Sequence, residues 1–425
     1  VGSEKAQHPN LIRNTLGGIF GNILEWYDFA VFGYFAPFFA TQFFPSDNPT
    51  AALINAFGVF AAGYLMRPIG GVIFGQLGDR LGRKKALLLS VIMMGSTTTL
   101  MGLLPSYAAV GLLAPVLLVL LRLLQGVSVG GELTGSMSYV VEMAPKEKRG
   151  FFSSFTLFSA TGGIMLGSAV ATILSAIFDA TALHDWAWRI PFISGVIIAA
   201  FGIWMRRGID ESPEFEATKA AGKIEKNPLL EAIKTMPGRV FGLFAMLAVF
   251  GAGFYTVFVW WPTYLGHILT PPIDHALLIN TIAMGLSLVL IPIAGMLTDR
   301  VGHMKLYGFA VGALILAIYP IFVLTDYGFL WLALALQIVF ASIMSFIAAP
   351  IPSLMADLFP TRMRYSGIGL GYNLALGIFG GTAPLVATAL ISTSGNLAEP
   401  AFYLIGLGIL SLIVTFVLAR GLNPD

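Results

Sequence analysis

The sequence predicts an all-α membrane protein with twelve transmembrane helices in two pseudo-symmetric six-helix bundles. Three observations carry that expectation: a composition unsuited to water, twelve long apolar stretches, and a motif that recurs half a chain later. Of the 425 residues, 57% are hydrophobic and 11% charged, and the mean hydropathy is +0.83. Soluble domains carry about 25% charged residues, so lipid is the expected solvent. The absence of cysteine excludes disulfides, thiolate metal sites and cysteine nucleophiles.

A spanning helix needs about 20 apolar residues, and such stretches fall near 15–44, 51–77, 84–105, 110–143, 150–177, 186–207, 238–268, 275–298, 304–325, 329–358, 364–392 and 398–420. The first begins near Leu16 and carries Glu25 and Asp28; it is too long for the core of a signal peptide. The 48 glycines fit the same reading, because small residues let helices approach closely within a bilayer. Basic residues set the orientation. With a cytoplasmic N-terminus, all but Arg67, Arg122 and Arg189 of the 24 Lys and Arg lie at cytoplasmic ends or loops. Positive residues favour the inside, so both termini are expected in the cytoplasm.

The longest hydrophilic stretch divides the chain into a bundle over 1–207, a cytoplasmic linker over 208–237 and a second bundle over 238–425. The two bundles repeat. Gly75-Gln76-Leu77-Gly78-Asp79-Arg80-Leu81-Gly82-Arg83 follows the second span, and Gly295-Met296-Leu297-Thr298-Asp299-Arg300-Val301-Gly302-His303 follows the eighth, 220 residues later. Glu142, Pro145 and Arg149 close the fourth span; Asp357, Pro360 and Arg364 close the tenth at the same spacing, 215 residues on. Two repeats at nearly one offset mark a duplication.

Charge inside the membrane is the functional signal. An ionised side chain at bilayer depth costs about 2.5–3.5 kcal/mol on insertion scales, yet Glu25, Asp28, Arg67, Arg122 and Glu132 all fall within the first four spans. Asn22, Glu25 and Asp28 recur every three residues and share one helix face; Arg122, Gln125, Val129, Glu132 and Ser136 form a second stripe. These faces must meet each other or a wet cavity. Three acids against two bases leave one carboxylate without a basic partner.

The second bundle holds no charge deep in a span. Its cavity candidates are Tyr255, Trp260, Trp261, Tyr264, Asn280, Gln337, Tyr372 and Asn373. We take Tyr255, Trp260, Tyr372 and Asn373, with Asn22, Arg67 and Arg122, as substrate-facing. Arg67 either binds a substrate carboxylate or pairs with Glu25, and Glu132 is either a proton site or a helix-packing hydrogen bond. The five His do not cluster with catalytic or metal-binding partners, so no enzyme activity, metal or cofactor is expected. The expected partners are a small-molecule substrate, a proton and membrane lipid, with no nucleic acid, and the expected state is a monomer.

The paired G-x-L-x-D-R-x-G motif resembles the signature of the major facilitator superfamily. Gly21-Asn22-Ile23-Leu24-Glu25-Trp26-Tyr27-Asp28-Phe29, Arg67-Pro68-Ile69-Gly70-Gly71, Leu124 to Glu132, Trp188-Arg189-Ile190-Pro191-Phe192 and Tyr372-Asn373-Leu374 through Pro384 resemble its metabolite:proton symporter group, which includes proline/betaine, α-ketoglutarate, citrate and shikimate transporters. The resemblance covers essentially the whole chain and implies alternating access in a bacterial inner membrane. It also implies that Asp28 and Arg122 couple protons, with Glu25 and Glu132 as further candidates. Asp79, Arg83, Glu142 and Arg149, and their counterparts Asp299, Arg300, Asp357, Arg362 and Arg364, would lock the cytoplasmic gate. One carboxylate clamp beside an aromatic wall suits a proline- or betaine-like zwitterion, whose ammonium can sit on a ring face. An organic acid:proton symporter, an uncoupled facilitator and an exporter remain alternatives.

Overall fold

The computed structural model describes the backbone at 8–81, 83–130, 133, 137, 140–141, 144–207, 234–359 and 361–422. Regular structure in these residues is helical throughout. Twelve rods follow one another. In the first half they are α1 His8–Phe43, α2 49–81, α3 Arg83–Leu103, α4 Leu113–Ser128, α5 Lys146–Ile177 and α6 180–207. In the second half they are α7 Pro237–Ile268, α8 Ala276–Val301, α9 His303–Thr325, α10 Leu330–Leu358, α11 361–394 and α12 Glu399–Leu422. On described residues alone, eight rods are long and apolar enough to cross a membrane. Most of the expected linker, through residue 233, lies outside the described residues.

Local chemistry explains the rod ends. Asn48 caps α2 by accepting a hydrogen bond from the Thr50 amide at 3.0 Å, and Pro49 fits the first helical position. Asp179 accepts from the Ala182 amide at 2.7 Å, which starts α6 earlier than the apolar pattern indicates. The outward surface suits lipid: Leu316, Phe309 and Val417 are exposed. This inverts the soluble pattern, because hydrocarbon carries no penalty for leucine and phenylalanine.

Helices α2 and α4 pack almost backbone to backbone. A Cβ on Gly126 would sit 1.9 Å from the Gly63 carbonyl oxygen, and one on Gly130 would sit 2.0 Å from the Gly71 nitrogen. Only glycine fits there, and the close approach brings α2 and α4, which carry Arg67 and Arg122, together. The halves meet mainly through α5 on α8 and α2 on α11. Tyr64 of α2 seats in a notch on α11, where a Cβ on Gly381 would lie 2.2 Å from the Tyr64 Cβ.

Two helices carry π turns where they line the interface: Thr256–Trp260 and Tyr264–Ile268 in α7, and Leu376–Gly380 in α11. Such turns weaken the regular hydrogen-bond ladder and release carbonyls to other partners. The Phe258 carbonyl accepts from Asn280 Nδ2 at 3.0 Å and from the Tyr34 hydroxyl, while the Val257 carbonyl accepts from Gln337 Nε2 at 3.1 Å.

Candidate functional site

The charges of the first half are buried together. Asn22, Asp28, Arg122 and Gln125 are fully buried, and Glu25 and Arg67 are 2% exposed. None faces lipid. Glu25 Oε1 accepts from Arg67 Nη2 at 3.1 Å, the ion pair that was one of the two expectations for Arg67. The Arg67 guanidinium also lies 5.3 Å from both the Trp26 and Tyr64 rings. Both partners are dry, so the pair is held out of water.

Arg122 is held differently. Its guanidinium lies over Phe29 at 4.4 Å, Phe32 at 4.5 Å and Phe60 at 5.1 Å. Nη1 donates to Gln125 Oε1, whereas Nε and Nη2 have no hydrogen-bond partner among the described residues. Asp28 and Arg122 make no direct ion pair. Asp28 Oδ2 instead accepts from the Thr98 hydroxyl at 3.1 Å, and Gln125 Nε2 donates to Thr98 Oγ1 at 2.7 Å. The acid and base are therefore joined through two neutral residues. Thr98 carries no motif or periodicity that signals this; Gln125, one turn past Arg122, lay on the charged stripe.

The second half contributes tyrosines. The Tyr255 hydroxyl donates to the Tyr64 hydroxyl at 2.8 Å across the halves, and Tyr255 stacks with Trp26 at a centroid distance of 6.2 Å. Tyr372 is buried and faces the Arg67–Glu25 pair electrostatically. Trp260 is not part of this cluster: it stacks on Tyr264 at 5.1 Å and donates to Thr388 Oγ1 at 2.8 Å. Both contacts lie within the second half. Asn373 spends Nδ2 on the carbonyls of Gly130 at 2.9 Å and Gly369 at 2.8 Å, so it ties α11 to α4. Asn22 donates to Ser159 Oγ at 3.3 Å, joining α1 to α5. Asn280 and Gln337 form a neutral knot: Gln337 Nε2 donates to Asn280 Oδ1 at 2.6 Å, and Asn280 Nδ2 donates to Ser168 Oγ and the Tyr34 hydroxyl, each at 3.1 Å.

On the face that carries the repeated motif, Asp299 caps α5 of the opposite half. Its Oδ1 accepts from the Gly150 amide at 2.6 Å and Oδ2 from the Phe151 amide at 2.9 Å. The exposed amides and partial positive charge of a helix start favour a carboxylate. Gly150 permits the approach, since a Cβ there would lie 2.7 Å from the Gly295 carbonyl oxygen. A 3.0 Å hydrogen bond joins Ser153 to Ser353 beside it. A cavity of about 220 Å³ opens here, lined in part by Lys146, Arg149, Asp299, His303 and Asp357. His303 Nε2 lies 3.5 Å from Asp357 Oδ2, and His303 stands at the motif position that Arg83 holds in the first half. Glu132, Glu142 and the side chains of Asp79, Arg83, Arg362 and Arg364 lie outside the described residues.

Two bundles closing on a dry, charged core define a multi-pass membrane transporter. The Major Facilitator Superfamily model matches residues 18–374, and the chain belongs to that family. It is 36% identical over 401 residues to the shikimate transporter of Escherichia coli strain K12, covering 92% of this chain and 91% of the relative. It is 32% identical over 415 residues to the proline/betaine transporter of the same strain, covering 95% and 82%. The glycine betaine/proline/ectoine/pipecolic acid transporter of Dickeya dadantii is 33% identical over 415 residues, again with 95% and 82% covered. Among solved structures, the xylose transporter of Escherichia coli in a partially occluded inward-open conformation matches with a TM-score of 0.75 at 20% identity, covering 96% of this chain and 97% of that one.

Proposed function

We propose that this chain is a proton-coupled symporter that imports a small polar carboxylate-bearing solute, with a proline- or betaine-like zwitterion as the first choice. One observation carries the reading: Arg122 is fully buried behind three phenylalanine rings, with Nε and Nη2 unpartnered among the described residues. A cation is held at such depth when an anion is to meet it, because an unpaired buried charge is costly. The carboxylate of the solute supplies that anion. Asp28, without a direct basic partner, carries the proton. The opposing pulls of desolvation and a nearby guanidinium let small movements switch a carboxylate between its two states.

Tyr64, Tyr255, Tyr372 and Trp26 offer ring faces to an ammonium, which favours a zwitterion. The shikimate transporter among the relatives favours an organic acid as the second reading, and both share the carboxylate that Arg122 would take. One proton moving through 100 mV supplies about 2.3 kcal/mol, which supports accumulation of roughly fifty-fold. A facilitator has no use for that arrangement.

Alternating access would run between the two bundles, 1–207 and 238–425, with both termini and the linker at 208–237 in the cytoplasm of a bacterial cell and the protein acting as a monomer. Asp299 on the α5 amides would close the cytoplasmic side, and the Tyr34–Asn280–Ser168 contacts the opposite side. The test is uptake of labelled proline, glycine betaine and shikimate into proteoliposomes with an imposed pH gradient. Accumulation of one of them above equilibrium, abolished by a protonophore, is expected. Equilibration of all three regardless of the gradient would remove the coupled reading.

A further inference from the structure

The polar face of α1 ends in a ring. Asn22, Glu25 and Asp28 share that face, and Phe32, one turn past Asp28, continues it. Glu25 meets Arg67 and Asp28 meets Thr98. Phe32 meets Arg122, with its ring 4.5 Å from the guanidinium. Phe29 of the same helix lies 4.4 Å from it, and Phe60 of α2 lies 5.1 Å away. All three rings are buried.

Two other arginines show what is different here. Arg67 also lies near rings but is paired with the Glu25 carboxylate. Arg189 lies 4.4 Å from the Trp188 ring, and its Nη1 donates to the carbonyls of Gly102 at 2.9 Å and Leu104 at 2.6 Å. Arg122 has one neutral amide oxygen on Nη1 and, among the described residues, no partner on Nε or Nη2. An arginine keeps its proton in a protein, so this charge has to be met by something else. A π face attracts a cation most strongly where water is excluded.

A carboxylate and a ring hold a guanidinium in different ways. A carboxylate fills two N–H groups in a bidentate pair, and an arriving carboxylate must displace it. A ring acts on the charge through its quadrupole and offers no lone pair to an N–H. These rings are also fixed in place. Phe29 packs against Tyr64 at 4.7 Å, Phe60 against Tyr64 at 4.9 Å, and Phe32 against Phe39 at 5.0 Å.

We infer that Phe29, Phe32 and Phe60 are positioning residues that act in place of a resident counterion at Arg122, holding the cation while its free N–H groups stay open to a solute carboxylate. This inference rests on the proposed reading of Arg122 as the site of that carboxylate. With weaker rings, the guanidinium turns to whatever oxygens the protein offers, and the solute has to compete with them. Solute affinity should therefore follow the electron density on the ring faces. Phe29 also lies 5.7 Å from the Arg67 guanidinium, so Phe32 and Phe60 give the cleaner test.

The test replaces Phe32, and separately Phe60, with mono-, di- and trifluorophenylalanine in the full chain. Fluorine drains the ring face with little change in shape. Counterflow of radiolabelled proline, glycine betaine and shikimate is measured in proteoliposomes. The half-saturating concentration should rise in even logarithmic steps to about tenfold at three fluorines, while the maximal rate stays within about twofold. Phe32→Leu, which keeps an apolar side chain without a ring, should match the trifluoro protein. The same series at Phe39, a buried ring that touches Phe32, is the packing control and should leave half-saturation within about twofold of wild type. Half-saturation that ignores fluorine at Phe32 and Phe60, or that responds equally at Phe39, would overturn the inference. If Arg122→Gln still disables uptake in that case, the inference alone falls. Uptake that survives Arg122→Gln, or a wild type that exchanges none of the three probes, would remove the proposed carboxylate site and this inference with it.

Discussion

The two halves share an ancestor and a fold but bury opposite kinds of polarity. The first half holds Glu25, Asp28, Arg67 and Arg122 in its core. The second buries Asn280, Gln337, Thr388 and four tyrosines, with no buried charge among its described residues. Neutral amides satisfy themselves on the carbonyls that π turns release, as Gln337 and Asn280 do on Val257 and Phe258. Charges cannot be satisfied that way. They need each other, a helix end or a passing solute. The lesson is a division of labour: under the proposed coupling, one half would supply groups whose state changes when a proton arrives, and the other a scaffold indifferent to it.

The sharpest way to break this contrast is Arg122→Gln. Loss of a fully buried guanidinium with two unpartnered nitrogens should lower uptake by about a hundredfold or more, in line with about 3–5 kcal/mol for breaking a buried charged contact, measured as both counterflow and gradient-driven uptake. Lysine should not rescue, since an ammonium lacks the flat face that lies over Phe29 and Phe32. Asp28→Asn separates coupling from movement. Accumulation should fall from roughly fifty-fold to equilibrium while counterflow continues; accumulation that survives in this variant would remove Asp28 from the proton path.

At the motif face, Asp299→Asn weakens the cap on the α5 amides without changing shape. About 1 kcal/mol lost there should raise the population open on that side about fivefold. Because the chain has no cysteine, a single cysteine at Ser353 can report this as a faster rate of maleimide labelling. The smallest effect is reserved for the scaffold. Trp260→Phe deletes one hydrogen bond to Thr388 and should lower stability by about 1 kcal/mol, read as a small drop in thermal midpoint, with transport within about twofold of wild type. A large loss of uptake there would restore Trp260 to the substrate site.

Much of this molecule is legible in its sequence. Lipid penalises every charge and every unpaired amide, so composition, apolar run length and the doubled motif led to twelve helices in two bundles, and the core acids and bases marked themselves by being where hydrocarbon forbids them. Spacing along a helix determined which residues share a face: Asn22, Glu25 and Asp28 did so, as did Arg122 and Gln125. The partners of that face were decided only in three dimensions. Rotation and closeness of neighbouring helices, set by glycines such as Gly63 and Gly126, gave Glu25 to Arg67, inserted Thr98 and Gln125 between Asp28 and Arg122, turned Trp260 to Thr388, and brought His303 to within 3.5 Å of Asp357. A sequence records what each helix presents, while the angle at which two helices meet is a sum over many contacts that no single residue announces.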